Sequence, residues 1–284
     1  MIISGVFFGI VSMVGYGIGD YLTKKPSEEI GPLKTLYNLQ VISLIFTLPF
    51  FIYYVSNFDV YVGMLDLLIL FIGSAVNIAA YFGFLKALQL GEVSIVSPIS
   101  AVYAVVTVLL SILFLNENLY FIQVFSIIGA VIGTALVSTD IKNIHKFHTI
   151  RGVKYAFYPL FGWGIFLFLI GIVESRIGWI MTFFLSNLIV AAQSIFIYFI
   201  IKKDLEIEKS TIKRFTVINI LTLLAWLSLN IGFSVSLVSV VSVVSSLSPL
   251  VSVILAVYVL KEKLLLNQKI GIGLILISLI LLSL

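Results

Sequence analysis

The chain has 284 residues, of which 61% are hydrophobic and only 11% are charged. Soluble domains carry about 25% charged residues, so this composition excludes a soluble protein and indicates one that lies in a lipid bilayer. The net charge of +4 comes from short loops between apolar runs, and cysteine is absent. We therefore expect orientation by positive loops rather than nucleic-acid binding, and no disulfide, metal or other cofactor.

Ten apolar runs along the chain are each about as long as a membrane-spanning helix requires. The sequence thus predicts an all-α integral membrane protein with ten transmembrane helices. In chain order we place the spans at residues 2–23, 34–55, 63–88, 93–115, 119–139, 152–173, 177–201, 213–236, 239–260 and 265–283. Because the connections are short, successive helices must run antiparallel.

The positive charges fall on one set of loops. Of the 17 Lys and Arg residues, only Arg176 belongs to an even-numbered loop. By the positive-inside rule, the odd-numbered loops face the cytoplasm and both termini lie outside the cell. We therefore predict a multi-pass protein of the plasma membrane.

The two halves of the chain repeat each other. Leu-Asn-Glu-Asn-Leu at 115–119 returns as Leu-Lys-Glu-Lys-Leu at 260–264, and Gly-Tyr-Gly at 15–17 returns as Gly-Trp-Gly at 162–164. These matches predict two five-helix repeats, residues 1–140 and 151–284. Because five is an odd number, the second repeat enters the membrane from the opposite face, as the loop charges also indicate. Inverted repeats of this kind are typical of transporters.

Taken together, these features resemble the drug/metabolite transporter (DMT) superfamily, in particular its ten-helix EamA-type branch. The resemblance implies a basket of helices around a central cavity, with the fifth and tenth spans at the periphery and alternating access by rocking. The sequence departs from the pattern at Ala104, which stands opposite Pro249 in the repeat, and at Ser186-Asn187, where relatives carry an arginine. The residues that carry the resemblance are Gly15, Tyr16, Gly17, Asp20, Glu117, Pro249 and Glu262.

Polar and aromatic side chains at mid-membrane depth identify candidate substrate contacts, since polar groups there are costly unless they line a cavity or bond a neighbour. Aromatic walls with a few amides suit a small, partly apolar solute. The alternative is that these side chains only join helices. Our six candidates are Tyr16, Asn77, Tyr81, Trp163, Trp226 and Asn230.

Asp20 is the carboxylate nearest the middle of a span. It can be a coupling site for protons or a site for a substrate amine; alternatively, it forms a helix-end ion pair with Lys24, four residues on. Pro98 and Pro249 can each free a backbone carbonyl, so that each is either a hinge or only a kink.

We expect a secondary, alternating-access transporter of a small neutral, zwitterionic or amphiphilic metabolite such as an amino acid; outward transport is implied by the resemblance alone. The expected partners are this solute and the bilayer, and the chain is a monomer or a homodimer. Phosphorylated or nucleotide-linked sugars remain an alternative substrate class, although they require cations that this sequence lacks at mid-depth. A channel or an intramembrane enzyme is less favoured, and we predict that the chain is not an enzyme.

Overall fold

The computed structural model describes residues 2–58, 61–91, 93–138, 152–202, 212–251, 254–255 and 265–282. Every regular element within these ranges is a helix, which confirms the all-α prediction. The helices are α1 (Ile2–Ile30), α2 (Pro32–Asn57), α3 (Met64–Leu90), α4 (Val93–Ala101), α5 (Tyr103–Phe114), α6 (Phe121–Ser138), α7 (Val153–Ile177), α8 (Trp179–Lys202), α9 (Ile212–Val235), α10 (Val238–Ser246) and α11 (Leu266–Leu282).

Six of the described helices are long and apolar enough to cross a membrane. They are α1, α2 and α3 and then α7, α8 and α9, which coincide with the first three predicted spans of each half. Shorter apolar helices occupy the positions of the fourth, fifth, ninth and tenth spans. The prediction of a multi-pass membrane protein is therefore confirmed, whereas the count of ten spans stays a prediction.

The first helix extends seven residues beyond its predicted end at residue 23. Its last two turns carry two ion pairs at i,i+4 spacing, Lys24–Glu28 at 3.7 Å and Lys25–Glu29 at 3.8 Å. Such pairs support a helix in water. Helix α1 ends at Gly31, whose φ of +83° favours glycine. Helix α7 ends in the same way at Gly178, whose φ is +78°.

Two predicted spans are interrupted. The fourth breaks at Val102, between α4 and α5, and the ninth breaks at Leu247, after which helical backbone continues over 248–251. At each break, a backbone amide donates a hydrogen bond to the carbonyl three residues earlier in the chain. Val105 donates to Val102, and Leu250 donates to Leu247, each at 2.9 Å. Pro249 has no N–H to donate to the preceding turn, which accounts for the second break.

Glycines bring the first long helix of each half against the third long helix of the other half. A Cβ added to Gly15 in α1 would lie 2.8 Å from Cβ of Ala225 in α9, and one added to Gly162 in α7 would lie 2.6 Å from Cβ of Ala80 in α3. Only glycine allows backbones to approach so closely. The repeated Gly-aromatic-Gly sequence is thus a helix-crossing site in both halves.

The helices α6 and α11 pack against each other within the chain. Gly129 faces Ser278, and Gly133 faces Ile275. The small-residue face of α6 is therefore occupied by α11.

The turn at 115–119 joins the two halves at the start of α10. The Glu117 carboxylate accepts hydrogen bonds from the backbone N–H groups of Val238 at 2.7 Å and Ser239 at 3.2 Å. Glu262, in the matching turn, lies outside the described residues.

A second feature of this turn also recurs in the other half. Gln123 accepts a bond from the Tyr120 amide at 3.0 Å, and Gln268 accepts one from the Leu265 amide at 2.9 Å. Each glutamine thus satisfies a free amide at the start of the following helix, α6 or α11.

Candidate substrate cavity

A cavity lies between the long helices, with an empty volume of about 1050 Å³ when its part open to solvent is included. Spaces between the helices of a bundle are common positions for small-molecule sites. Its walls come from α1, α2, α3, α5, α7, α8 and α9, and from Ser248. The lining residues are Tyr16, Asp20, Leu39, Gln40, Ser43, Asn77, Tyr81, Tyr103, Trp163, Phe166, Leu167, Ser186, Asn187, Val190, Asn219, Thr222, Leu223, Trp226, Leu229 and Ser248.

The structure brings most of the predicted site residues to this cavity. Those that line it are Tyr16, Asp20, Asn77, Tyr81, Trp163 and Trp226. Asn230 does not line it. That side chain is fully buried, and its amide donates to the carbonyl of Trp226 at 2.8 Å, one turn earlier in the same helix.

The second and seventh spans also supply wall residues, which mid-membrane depth alone did not identify. Gln40 and Ser43 project from α2, and Asn187 projects from α8. Ser43 donates to the amide oxygen of Asn187 at 3.3 Å, so the two helices are joined beside the cavity. The usable signal in the sequence was that Gln40 and Asn187, both amides, occupy equivalent places in the two halves.

Aromatic rings form much of the wall. The Trp163 ring centroid lies 5.8 Å from that of Tyr103, edge to face, and 6.4 Å from that of Tyr81. Trp226 stacks on Phe166 at 5.5 Å with an interplanar angle of 22°. These separations are those of favourable aromatic pairs, which hold the rings in fixed orientations.

The two helix breaks lie at the cavity. Tyr103 follows the break at Val102, Ser248 follows the break at Leu247, and both side chains reach the cavity wall. Pro249, one of the two predicted hinges, is next to Ser248. Pro98, the other, lies within α4 one turn before Val102.

Asp20 faces the cavity and does not pair with Lys24, whose ammonium instead pairs with Glu28. The expected helix-end ion pair is therefore not formed. Asp20 shares the cavity wall with three tyrosines, Tyr16, Tyr81 and Tyr103.

Asp20 is the single charged residue among the described residues that line the cavity. Lys86 of α3 and Lys154 of α7 do not contribute to the wall. Lys86 donates to the Gln89 side chain at 2.7 Å, and the Lys154 ammonium lies 5.1 Å from the centre of the Tyr155 ring.

Metal-binding clusters of three or more His, Cys, Asp or Glu side chains are not found among the described residues. His145 and His148, which have a helical ligand spacing, lie outside them. The lining itself offers hydroxyl, amide and aromatic groups and one carboxylate. This set can orient a small solute through hydrogen bonds.

Comparison with known proteins identifies the family. The model of the EamA-like transporter family matches residues 3–139 and 150–284, which together are nearly the whole chain. The chain belongs to the EamA-like transporter family. The predicted resemblance is thereby confirmed, and with it the coarse prediction of a membrane transporter.

Two further similarities agree with this assignment. An uncharacterized protein of Methanocaldococcus jannaschii is 35% identical to this EamA-like chain over 140 residues, which is 48% of this chain and 96% of that protein. A solved crystal structure of a protein matches with a TM-score of 0.69 at 15% identity, covering 98% of this chain and 96% of that one. The latter shows that the fold is shared.

Proposed function

We propose that this EamA-like protein is a secondary transporter that moves a small, partly apolar metabolite across the plasma membrane by alternating access. The solute class is neutral, zwitterionic or amphiphilic, as for an amino acid, and the direction is outward. The observation that carries the proposal is the cavity between the two halves, with its aromatic walls, amide groups and single carboxylate. Such walls bind an apolar body by contact and orient it through a few polar groups.

Equivalent contacts in the two halves support the proposed inverted repeats, 1–140 and 151–284. Gly15 of α1 packs on α9, and Gly162 of α7 packs on α3. The first helix of each half therefore packs against the third long helix of the other half. The wall residues also correspond: Tyr16 matches Trp163, and Asn77 matches Trp226. In an inverted repeat these pairs line one central site from opposite sides, and rocking of the halves would expose it to each face in turn.

The helix breaks are proposed as the places where this motion is accommodated. A broken helix has fewer backbone hydrogen bonds to hold it straight, and Pro249 keeps one carbonyl free of an intrahelical partner. Because both breaks adjoin the cavity, a change of angle there would move Tyr103 or Ser248 relative to a bound solute.

Other functions are less well supported. Phosphorylated and nucleotide-linked sugars need Lys or Arg to hold their phosphates, and the described cavity wall has neither. A channel would have polar groups along a continuous pore, whereas the sequence places its polar and aromatic candidates near mid-membrane depth. Membership of a transporter family also opposes an enzymatic role.

The decisive experiment measures flux in proteoliposomes reconstituted with the purified chain, using a panel of radiolabelled amino acids and amines. Trp226→Ala and Asn77→Ala should reduce saturable uptake by roughly tenfold or more, because each removes a contact in the cavity. Matched controls are Trp179→Ala and Asn57→Ala, since neither residue lines the cavity. Equal uptake by all four variants and the unmodified protein would refute the proposed site.

A further inference from the structure

The charge distribution of the cavity wall is strongly one-sided. Asp20 is the single residue of the described lining whose side chain is of a type charged at neutral pH. The equivalent position in the other half is Leu167, which also lines the cavity but is apolar. Ser186 and Asn187, which also line the cavity, are neutral. An ionised carboxylate in such a site has no opposite charge on the protein with which to pair.

An isolated charge in a low-dielectric site is costly unless the group takes up a proton or a counter-charge accompanies it. A bound solute with one positive charge would make the cavity neutral. A zwitterion would leave the net charge at −1, and its own carboxylate would meet no lysine or arginine. A neutral solute would leave Asp20 unpaired. Among the classes of the proposed function, the wall therefore favours an amphiphilic cation.

The rings around Asp20 suit a positive group as well. Tyr16, Tyr81 and Tyr103 line the same cavity as Asp20, and the Trp163 ring centroid lies 6.4 Å from that of Tyr81 and 5.8 Å from that of Tyr103. The faces of aromatic rings carry partial negative charge and attract ammonium groups within about 6 Å. Trp226, stacked on Phe166, offers an apolar surface for the body of the solute.

We propose that the substrate is an organic monocation, an amine with an apolar body and no carboxylate, whose ammonium group binds Asp20 among Tyr16, Tyr81 and Tyr103. This inference rests on the proposed function, since it assigns the solute class of the same cavity. Tyr103 acts here as a further specificity-determining residue.

The test uses probes that share one body and differ in charge. Dissociation constants for phenethylamine, phenylalanine and 2-phenylethanol are measured by calorimetry on the purified full-length chain, with hexylamine as an amine that lacks the ring. Both amines should bind, and phenethylamine should bind at least about tenfold more tightly than phenylalanine or 2-phenylethanol, the ratio expected from one charge-assisted hydrogen bond.

Substitution at Asp20 then tests the assignment of the charge. Asp20→Asn should weaken phenethylamine binding by about tenfold or more and leave 2-phenylethanol within about threefold, because only the cation uses the carboxylate. Asp20→Glu should retain a preference for amines, which shows that any loss comes from charge. Glu174→Gln, the same acid-to-amide change at a residue outside the cavity lining, should leave the preference for amines unchanged.

Three results would overturn the inference: equal or tighter binding of phenylalanine, no binding of either amine, or an amine preference that survives Asp20→Asn. Each variant is checked for a monodisperse elution peak, so that misfolding is recognised, and Asp20→Ser, which also removes the charge, serves if Asp20→Asn does not fold. The proposed function is tested separately, by the flux assay. If Trp226→Ala abolishes the uptake of a solute that is not an organic cation, the protein is a transporter and only the assignment of a cationic substrate is wrong.

Discussion

Glu117 should contribute substantially to stability, because it fastens the turn of one half to a helix of the other. Its carboxylate accepts from the first two amides of α10, at 2.7 and 3.2 Å, and α10 has no side-chain cap at Leu237. Hydrogen bonds to charged groups contribute roughly 1.5–3 kcal/mol each, and a negative charge at a helix N-terminus adds a favourable dipole interaction. Since Glu117 is only half-buried, hydrogen bonds from water would replace part of this stabilisation when the side chain is removed. We expect Glu117→Ala to destabilise the chain by about 3 kcal/mol.

The assay is thermal unfolding of the purified protein in one detergent, followed by tryptophan fluorescence. Glu117→Gln keeps one acceptor oxygen and loses the charge, so its melting temperature should fall between those of the unmodified chain and Glu117→Ala. The matched control is Glu28→Gln, which removes an exposed partner of Lys24, and such pairs contribute at most about 1 kcal/mol. If Glu117→Ala melts no lower than the control, the cap does not stabilise α10 and the reasoning is refuted.

Three further outcomes are expected. Gly162→Ala should lower the melting temperature, because its Cβ would overlap that of Ala80, whereas Gly273→Ala, with open space around the added Cβ, should be neutral or raise it; the reverse order would contradict the crossing. Glu174→Gln should raise the melting temperature, since neither buried oxygen of the Glu174 carboxylate has a hydrogen-bond partner within the described ranges. A lower melting temperature would show that the carboxylate has a stabilising partner. A cysteine at Ser56 should react with an impermeant thiol reagent in intact cells, and one at Lys25 only after lysis; the opposite pattern would overturn the predicted orientation.

The sequence predicted the long helices well because their apolar runs exceed the length at which a bilayer requires a helix. It missed the extension of α1 past residue 23, since hydropathy detects the span and not the charged turns beyond it. There Lys24 and Lys25 pair with Glu28 and Glu29 on the helix surface. An apolar run shows that a span exists, whereas local ion pairs and a glycine such as Gly31 determine where its helix ends.

The sequence predicted a hinge or a kink at Pro98 and at Pro249, and the structure places only one interruption at a proline. The break at Leu247 lies two residues before Pro249, whereas Pro98 lies within α4 and the break at Val102 comes four residues later. A break within a continuous apolar run leaves hydropathy unchanged. It depends on tertiary contacts, such as the bond from the Thr107 hydroxyl to the carbonyl of Gly164 in α7.

The candidate site was predicted from mid-membrane depth. Depth alone omitted α2 and α8, although Gln40 and Asn187 reach the cavity. It also included Asn230, because depth does not reveal which way a side chain faces. Asn230 repeats the position of Tyr81, but its amide bonds to its own helix at Trp226. Equivalence in the repeat thus extends to the backbone and does not guarantee that the side chains have the same role.

This difference between backbone and side chains bears on how the protein would work. The features that control helix geometry recur in both halves: the Gly-aromatic-Gly crossings at 15–17 and 162–164, the terminal glycines Gly31 and Gly178, and the breaks at Val102 and Leu247. Two conformations related by exchange of the halves would then have similar backbone energies, as proposed alternation requires. The charge does not recur, because Asp20 in the first half corresponds to the apolar Leu167 in the second half. Both residues line the cavity. Under the proposed mechanism, a solute would be held in one orientation while the helices around it exchange conformations.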